Sequence, residues 1–351
     1  MNMSKKLEVS PLGNTGLVVP PIIYGTSFLG NLYKELPWET KLSIMREWFN
    51  ASDLPVVVDS AGKYGAGLAL EVIGRGLKEL GIATEKVMIS NKLGWYRVPL
   101  KGEEPTFEKG AWANLKNDAV QKISYEGILE CWKQGNELLG DYSAGLVSVH
   151  DPDEYLAAAS NPDDRERRLE DVKDAYKALF ELKEQGKVKA VGIGSKDWHV
   201  IRELYPDVKF DWVMIANSLT LYRHPGDILS FIEQLYNDGA GVINSAVFNA
   251  GFLTGGEYFD YRLIDPEDPA DIEKLEWRKR FFAVCEEFGI QPGDACLHFA
   301  VSPPQISSVA LNPSKPERIK RNVEVLQTDI PSDFWNALKE NEVIDRNYKY
   351  L

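Results

Sequence analysis

An eight-stranded parallel barrel wrapped in helices, a (β/α)8 or TIM barrel, is the fold this sequence predicts, and two observations predict it. Eight short runs, β-branched or apolar on both faces, recur along the chain: PPIIYG, LPVVVDS, KVMISNK, GLVSVH, KVKAVGIG, DWVMIAN, GVINSA and QISSVAL. Strands covered on both faces have this character. Between most of them lie stretches with apolar residues at helical spacing, such as WETKLSIMREWFNA, ALEVIGRGLKEL, SYEGILECWKQGNELLG, LEDVKDAYKALFELKEQG and DILSFIEQLYNDG.

The opening segment KLEVSPLGNTGLVVP holds a Gly-Asn-Thr-Gly turn between two extended pieces, which reads as a β-hairpin closing the bottom of the barrel. Lys183 and Lys187 flank Gly186, a helix stop immediately before the fifth strand. Two stretches depart from the rhythm. Trp95 to Ser124 carries Pro99, Gly102, Pro105 and Gly110 among mixed charges, and Gly255 to about Ala270 clusters Gly, Pro and Asp. They follow the third and seventh strands, so both long loops belong to the C-terminal face, where barrels of this kind build their sites. An extra C-terminal helix follows strand eight. With no linker, internal repeat or low-complexity segment, residues 1–351 read as a single domain.

Composition narrows the partners. The chain has 53 acidic and 40 basic side chains, a formal charge of −13, which repels nucleic acid and anionic membrane surfaces. The N-terminus MNMSKKLEVSPLG has no apolar segment after its lysines, so it is not a secretory leader. No run approaches the ~18 apolar residues of a membrane-spanning helix. Cys131, Cys285 and Cys296 are odd in number and unpatterned, neither a disulfide framework nor a zinc site, and they read as buried small side chains in a cytoplasmic protein without a metal.

The residues that could carry chemistry stand at strand ends. Asp59 ends the second strand with Tyr64 in the loop behind it, Lys92 ends the third and His150 the fourth. In a barrel these ends are neighbours around the mouth. A tyrosine, with an ordinary pKa of about 10, handles protons near neutrality only if a cation favours its phenolate. Lys92 would supply that cation, Asp59 would hold Lys92 in place, and His150 would orient a substrate oxygen. Taken singly, each has a bland reading as a cap, a rim aromatic, a solvated lysine or a structural histidine. A barrel aldolase with Lys92 as Schiff-base lysine is a rival that leaves Asp59 and Tyr64 without a role.

The sequence resembles the aldo-keto reductase superfamily. The resemblance is carried by PLGNTGLVVPPIIYGTSFLG, VVVDSAGKYG, MISNKLG, LVSVHDPD, LKEQGKVKAVGIG and FLTGG, in that order, from about Val9 to Val325. It implies that Asp59, Tyr64, Lys92 and His150 form a catalytic tetrad with Tyr64 as general acid/base. It also implies NAD or NADP bound without a Rossmann domain, and GAGLAL after Tyr64 lacks the third glycine of a dinucleotide fingerprint. FLGNLY, SYEGIL, GIGSKDW, SLTLY and VINSAVFNAGFLTGG look most like the sugar-oxidising, aldose 1-dehydrogenase branch. That likeness implies oxidation of the anomeric carbon of an aldose of L-fucose, L-galactose or D-arabinose type to a lactone. The alternatives are a carbonyl or aldehyde reductase, a pyridoxal dehydrogenase, or a non-catalytic cofactor-binding subunit of the same superfamily.

By position, the resemblance implies cofactor contacts from Ser195, Asn217, Phe248, Asn249, Gly251, Leu253, Asn312, Ser314, Arg318 and Asn322, with Gly192, Gly194 and Lys196 nearby. The nicotinamide-stacking tyrosine common near Ser245 is missing. Tyr33 and Trp95 are the aromatic candidates for a sugar face. Asn312 stands where NADP-using members often carry a lysine, and Arg318 is kept, so the balance leans to NAD. The expected partner is a small-molecule sugar, and monomer or homodimer is the family-level expectation.

Overall fold

The computed structural model describes residues 5–260 and 262–351. Residues 1–4 of the segment read as lacking a leader, and Tyr261 in the loop after the seventh strand, lie outside the described residues. Eight strands, β1 (Ile22–Gly25), β2 (Val56–Ala61), β3 (Val87–Leu93), β4 (Leu146–His150), β5 (Ala190–Ser195), β6 (Trp212–Ala216), β7 (Gly241–Ser245) and β8 (Ile306–Leu311), pair in parallel in chain order. β8 closes on β1 through Val309, Ala310 and Leu311, completing the barrel. Each of the eight apolar runs is a barrel strand.

Around the barrel lie α1 (Trp38–Asn50), α2 (Leu68–Glu79), α3 (Tyr125–Leu139), α4 (Pro152–Ala157), α5 (Pro162–Glu184), α6 (Trp198–Leu204), α7 (Gly226–Asn237), α8 (Pro269–Phe288), α9 (Pro292–Ala300), α10 (Pro316–Leu326) and the extra C-terminal α11 (Ser332–Glu340). α5 begins at Pro162, about two turns before the amphipathic stretch that opens at Leu169. Its charged first turns hide the apolar period, but Asn161 caps them by accepting from the Asp164 N–H at 2.8 Å, with Pro162 at the first helical position.

Alternation along the strands sorts the barrel interior by height. Ile23, Val57, Leu146, Ala190, Trp212, Met214 and Ile243 form an apolar cluster low in the barrel. Two residues further along each strand the same face is reached again. From Val57 it passes to Asp59, from Met88 through Ser90 to Lys92, and from Leu146 through Ser148 to His150. Apolar packing therefore fills the bottom and the chemistry collects at the top. Trp212 owes its place to Gly192 on the neighbouring strand, where an added Cβ would come within 2.2 Å of the indole.

The hairpin of Ser10–Pro11 with Val18–Val19 plugs the lower end. Its Leu12 and Val19 are fully buried in the lower cluster, and Asn14 N–H donates to the Gly239 carbonyl at 2.8 Å. The third-strand excursion is more ordered than its prolines suggest. Trp95–Pro99 pairs antiparallel with Asn117–Gln121, and Phe107, Trp112, Ala119 and Ala66 make a small core between this ribbon and the barrel top. After β7 come a short 3-10 turn, Asn249–Thr254, and a two-stranded ribbon of Tyr258–Phe259 with Arg262–Leu263. No helix among the described residues is long and apolar enough to cross a membrane. Cys131, Cys285 and Cys296 are buried and unpaired.

The plug predicts a separation of stability from the site. Leu12→Ala should destabilise the fold by about 2–5 kcal/mol through the lost side chain and its cavity, read as a drop in the thermal midpoint. Cofactor binding at low temperature should stay near wild type, because the barrel mouth is untouched.

Candidate active site

Asp59 and Lys92 face each other from neighbouring strands, whose register sets Asp59 beside Ser90 and Ala61 beside Lys92. The Lys92 ammonium pairs with Asp59 Oδ2, and Ser90 donates to Asp59 Oδ1 at 3.1 Å. Both carboxylate oxygens are thus engaged in a region closed to water. Thr26 from the loop after β1 donates to the Asp59 carbonyl at 2.9 Å, fixing the end of the strand.

Tyr64 sits in the tight turn that follows β2. Gly65 adopts φ +61°, and a Cβ there would lie 2.3 Å from the Gly30 carbonyl, so only glycine lets the loop after β1 press against the Tyr64 loop. The Tyr64 ring lies edge-on to His150, centroids 5.6 Å apart at 87°, with the Lys92 ammonium 4.9 Å from its centre. His150 is buried, and its Nδ1 has no hydrogen-bond partner among the described residues. The four predicted residues are therefore brought together at the C-terminal end of the barrel.

Their electrostatics differ from the sequence expectation in one respect. Burial, reinforced by the Asp59, Asp151 and Glu108 carboxylates, pushes the Tyr64 phenol well above its ordinary pKa of about 10. The reasoning from Lys92 alone expected the opposite direction. Lys92 is turned to Asp59, so the pair presents Tyr64 with a neighbouring carboxylate as well as a cation. Burial likewise pushes the His150 imidazole well below its ordinary value, with Lys92 and Lys63 adding to the effect. At neutral pH the site thus holds a phenol and a neutral imidazole, each able to donate a hydrogen bond to one oxygen.

The walls come from the loops. Tyr33 N–H donates to the Ala111 carbonyl at 2.7 Å and Ala113 N–H to the Asn31 carbonyl at 3.0 Å, zipping the loop after β1 to the third-strand excursion. Buried Lys41 donates to the Leu29 carbonyl at 2.9 Å and Asn31 Oδ1 at 2.6 Å, holding the same loop from behind. Tyr33 is exposed and stacks on Tyr258 from the ribbon after β7, centroids 6.0 Å apart. Trp95 packs on Phe107, while the indole beside Tyr64 is Trp112, at 6.1 Å. Sequence reasoning missed Trp112 and Tyr258. Only their places in the two long loops could have flagged them.

The dinucleotide candidates gather on the β5 to β8 side. Asn217, at φ +56°, and Asn249, at φ +45°, follow β6 and β7, and each has a buried Oδ1 without a partner among the described residues. Ala246, Asn249, Ala250 and Gly251 all have positive φ, folding the backbone after β7 into a concave run, and a Cβ at Gly251 would meet open space. The N-cap residue of α10, Lys315, makes no side-chain capping hydrogen bond among the described residues, and the helix starts between Ser314 and Arg318. Uncapped helix ends and such backbone concavities suit phosphate oxygens, so these residues fit a dinucleotide. Phe248, Ser314 and Asn322 are half-buried and Arg318 is exposed on the same side. Leu253 is fully buried, leaving only its backbone for a ligand, and the Ser195 hydroxyl donates to Asp153 at 2.7 Å. Asn312 donates to the Ser27 hydroxyl, and Arg321 pairs with Asp294.

Comparison with known proteins accords with this geometry. The model of the Aldo/keto reductase family matches residues 21–342. Pyridoxal 4-dehydrogenase of Microbacterium luteolum is 26% identical, over 97% of this chain and 99% of that protein. D-threo-aldose 1-dehydrogenase of a Pseudomonas species is 24% identical, over 94% and 96%. An aldo-keto reductase from Bacillus halodurans, solved in its holo form, superposes with a TM-score of 0.68 at 19% identity, covering 96% of each chain. A closed barrel with this quartet at its mouth, matched over nearly its whole length, belongs to the aldo/keto reductase family of NAD(P)H-using oxidoreductases.

Proposed function

We propose that the protein oxidises the anomeric hydroxyl of a cyclic aldose of L-fucose, L-galactose or D-arabinose type to the lactone. The observation that carries the reading is the quartet of Asp59, Tyr64, Lys92 and His150 with the Trp112 indole beside Tyr64, and with Tyr33 stacked on Tyr258 in the loops of the same barrel face. Aromatic faces stack on the apolar face of a sugar ring, and the relative that acts on D-threo-aldoses supports the substrate class. NAD or NADP, when bound, accepts the hydride from the anomeric carbon. Asn217, Asn249, Gly251 and the backbone at Phe248 and Leu253 would hold its nicotinamide and diphosphate portions, with Ser314, Arg318 and Asn322 at the adenosine end.

In this reading the chain's own work is proton handling and positioning. Tyr64 Oη removes the proton of the anomeric hydroxyl, His150 donates a hydrogen bond to the same oxygen, and Lys92 with Asp59 fixes the local field. The raised Tyr64 pKa favours a second reading in which the same phenol gives its proton to a carbonyl, as an aldehyde or ketone is reduced. A pyridoxal lactol, suggested by the other relative, offers the same cyclic hydroxyl on an aromatic ring.

Lactone formation in an absorbance assay with L-fucose, L-galactose, D-arabinose and pyridoxal, run with NAD and NADP from pH 6 to pH 10, tests the proposal. Oxidation consumes the phenolate, so the raised phenol pKa predicts a rate that climbs with pH across this range. Reduction uses the phenol and should not climb. No lactone from any aldose, with reduction of carbonyls intact, would move the assignment to the second reading.

Cofactor choice follows from the same surface. With Asn312 tied to Ser27 and Arg321 to Asp294, neither of these two positions offers an uncommitted cation to a 2′-phosphate, and we propose NAD as the preferred cofactor with NADP accepted. Asn312→Lys adds one ammonium–phosphate pair, worth about 1–2 kcal/mol, and should lower the KM for NADP roughly tenfold with that for NAD little changed.

A further inference from the structure

One ammonium near the mouth has no part in the quartet. Lys63 precedes Tyr64 and its side chain is only 2% exposed. Its Nζ lies 2.7 Å from Glu108 Oε1, 2.7 Å from Glu154 Oε2 and 3.7 Å from Asp151 Oδ2, and 5.2 Å from the centre of the Trp95 ring. Burial alone would push it down, but Asp151, Glu108 and Glu154 outweigh burial and hold it above its ordinary value. Such a group is kept where it is by its carboxylates, and they by it.

Each carboxylate leads to something the reaction uses. Glu108 stands in the third-strand excursion, and its other oxygen accepts from Trp112 Nε1 at 2.8 Å. Trp112 is the indole beside Tyr64. Asp151 follows His150 directly, and its Oδ2 is shared between Lys63, Lys196 at 3.3 Å and His150 Nε2 at 3.5 Å. Glu154, in the first turn of α4, pairs with both lysines.

We propose that Lys63 is a positioning residue: through Glu108 it docks the third-strand excursion so that Trp112 walls Tyr64, and through Asp151 it keeps a carboxylate from charging His150. The inference rests on reading Tyr64 and His150 as the proton-handling pair. Two consequences separate from each other. Loss of the clamp loosens the wall and weakens substrate binding. Loss of the cation eases protonation of His150, which is then left among the Lys92 and Lys196 cations and the Asp151 and Glu154 carboxylates, with the Tyr64 ring edge-on to it.

The test is Lys63→Met and Glu108→Gln in the full chain. In both, amide hydrogen exchange across residues 106–113 should speed by about tenfold or more as local opening becomes easier. The KM for the substrate, lactol or carbonyl, should rise about tenfold with a smaller change in kcat, the signature of lost binding that is common to ground and transition states. In carbonyl reduction, where Tyr64 acts as the phenol and sets no acid limb, only Lys63→Met should also move the acid limb of kcat/KM up, by about one pH unit. Unchanged exchange and KM in Glu108→Gln would overturn the clamp, even if Lys63→Met failed to fold. An acid limb that stays in place in folded Lys63→Met would overturn the link to His150. If the wild-type protein turned over neither lactols nor carbonyls, the functional reading would fall, while the exchange measurement would still decide the clamp.

Discussion

The ion pair between Asp59 and Lys92 is the constraint on which the upper half of the barrel depends. Two charges are taken out of water there, and they are tolerable because β2 and β3 run side by side in a register that puts each within reach of the other. Removing either partner would leave a buried, uncompensated charge, at a cost of about 3–5 kcal/mol. Serine at position 90 completes the hydrogen bonding of Asp59. With the cation turned toward its carboxylate, Tyr64 and His150 are governed mainly by burial, which favours the neutral form of both.

Packing and polarity are divided by height in the barrel, and the division is a matter of strand period. Interior positions alternate with positions facing the helices, so two residues of travel carry β2 from Val57 to Asp59 and β4 from Ser148 to His150. Below, Trp212 over Gly192 and the hairpin plug leave a filled, apolar floor. Above, the loops after β1, β3 and β7 tie to one another through backbone pairing at Tyr33 and Ala113 and the tyrosine stack. Asp260, in the ribbon after β7, accepts from Arg223 at 3.1 Å and Asn249 at 2.8 Å, fastening the cofactor side in the same way.

The barrel was legible in the sequence because eight doubly buried strands leave eight apolar runs, and the quartet was legible because Asp59, Lys92 and His150 stand at or beside the ends of those runs and Tyr64 in the loop behind the second. The ribbon of Trp95–Pro99 with Asn117–Gln121 was not, since its strands are half-exposed, one ends in proline, and their partners are separated by a loop without pattern. α4 is six residues long and carries no period of its own. Lys63 was invisible as a buried residue because its partner Glu154 lies 91 positions away. The direction of the Tyr64 shift was missed for a related reason. Sequence places a lysine near the tyrosine, but only the pairing in space shows that the lysine is already engaged and that burial dominates.

Site-resolved titration of Tyr64 in the cofactor-free protein, by carbon NMR of labelled tyrosine with the signal assigned from Tyr64→Phe, tests the central claim most directly. The account predicts a phenol that stays protonated beyond the ordinary tyrosine pKa of about 10. Ionisation of Tyr64 below that value would contradict it, showing that Lys92 rather than burial and Asp59 governs the site.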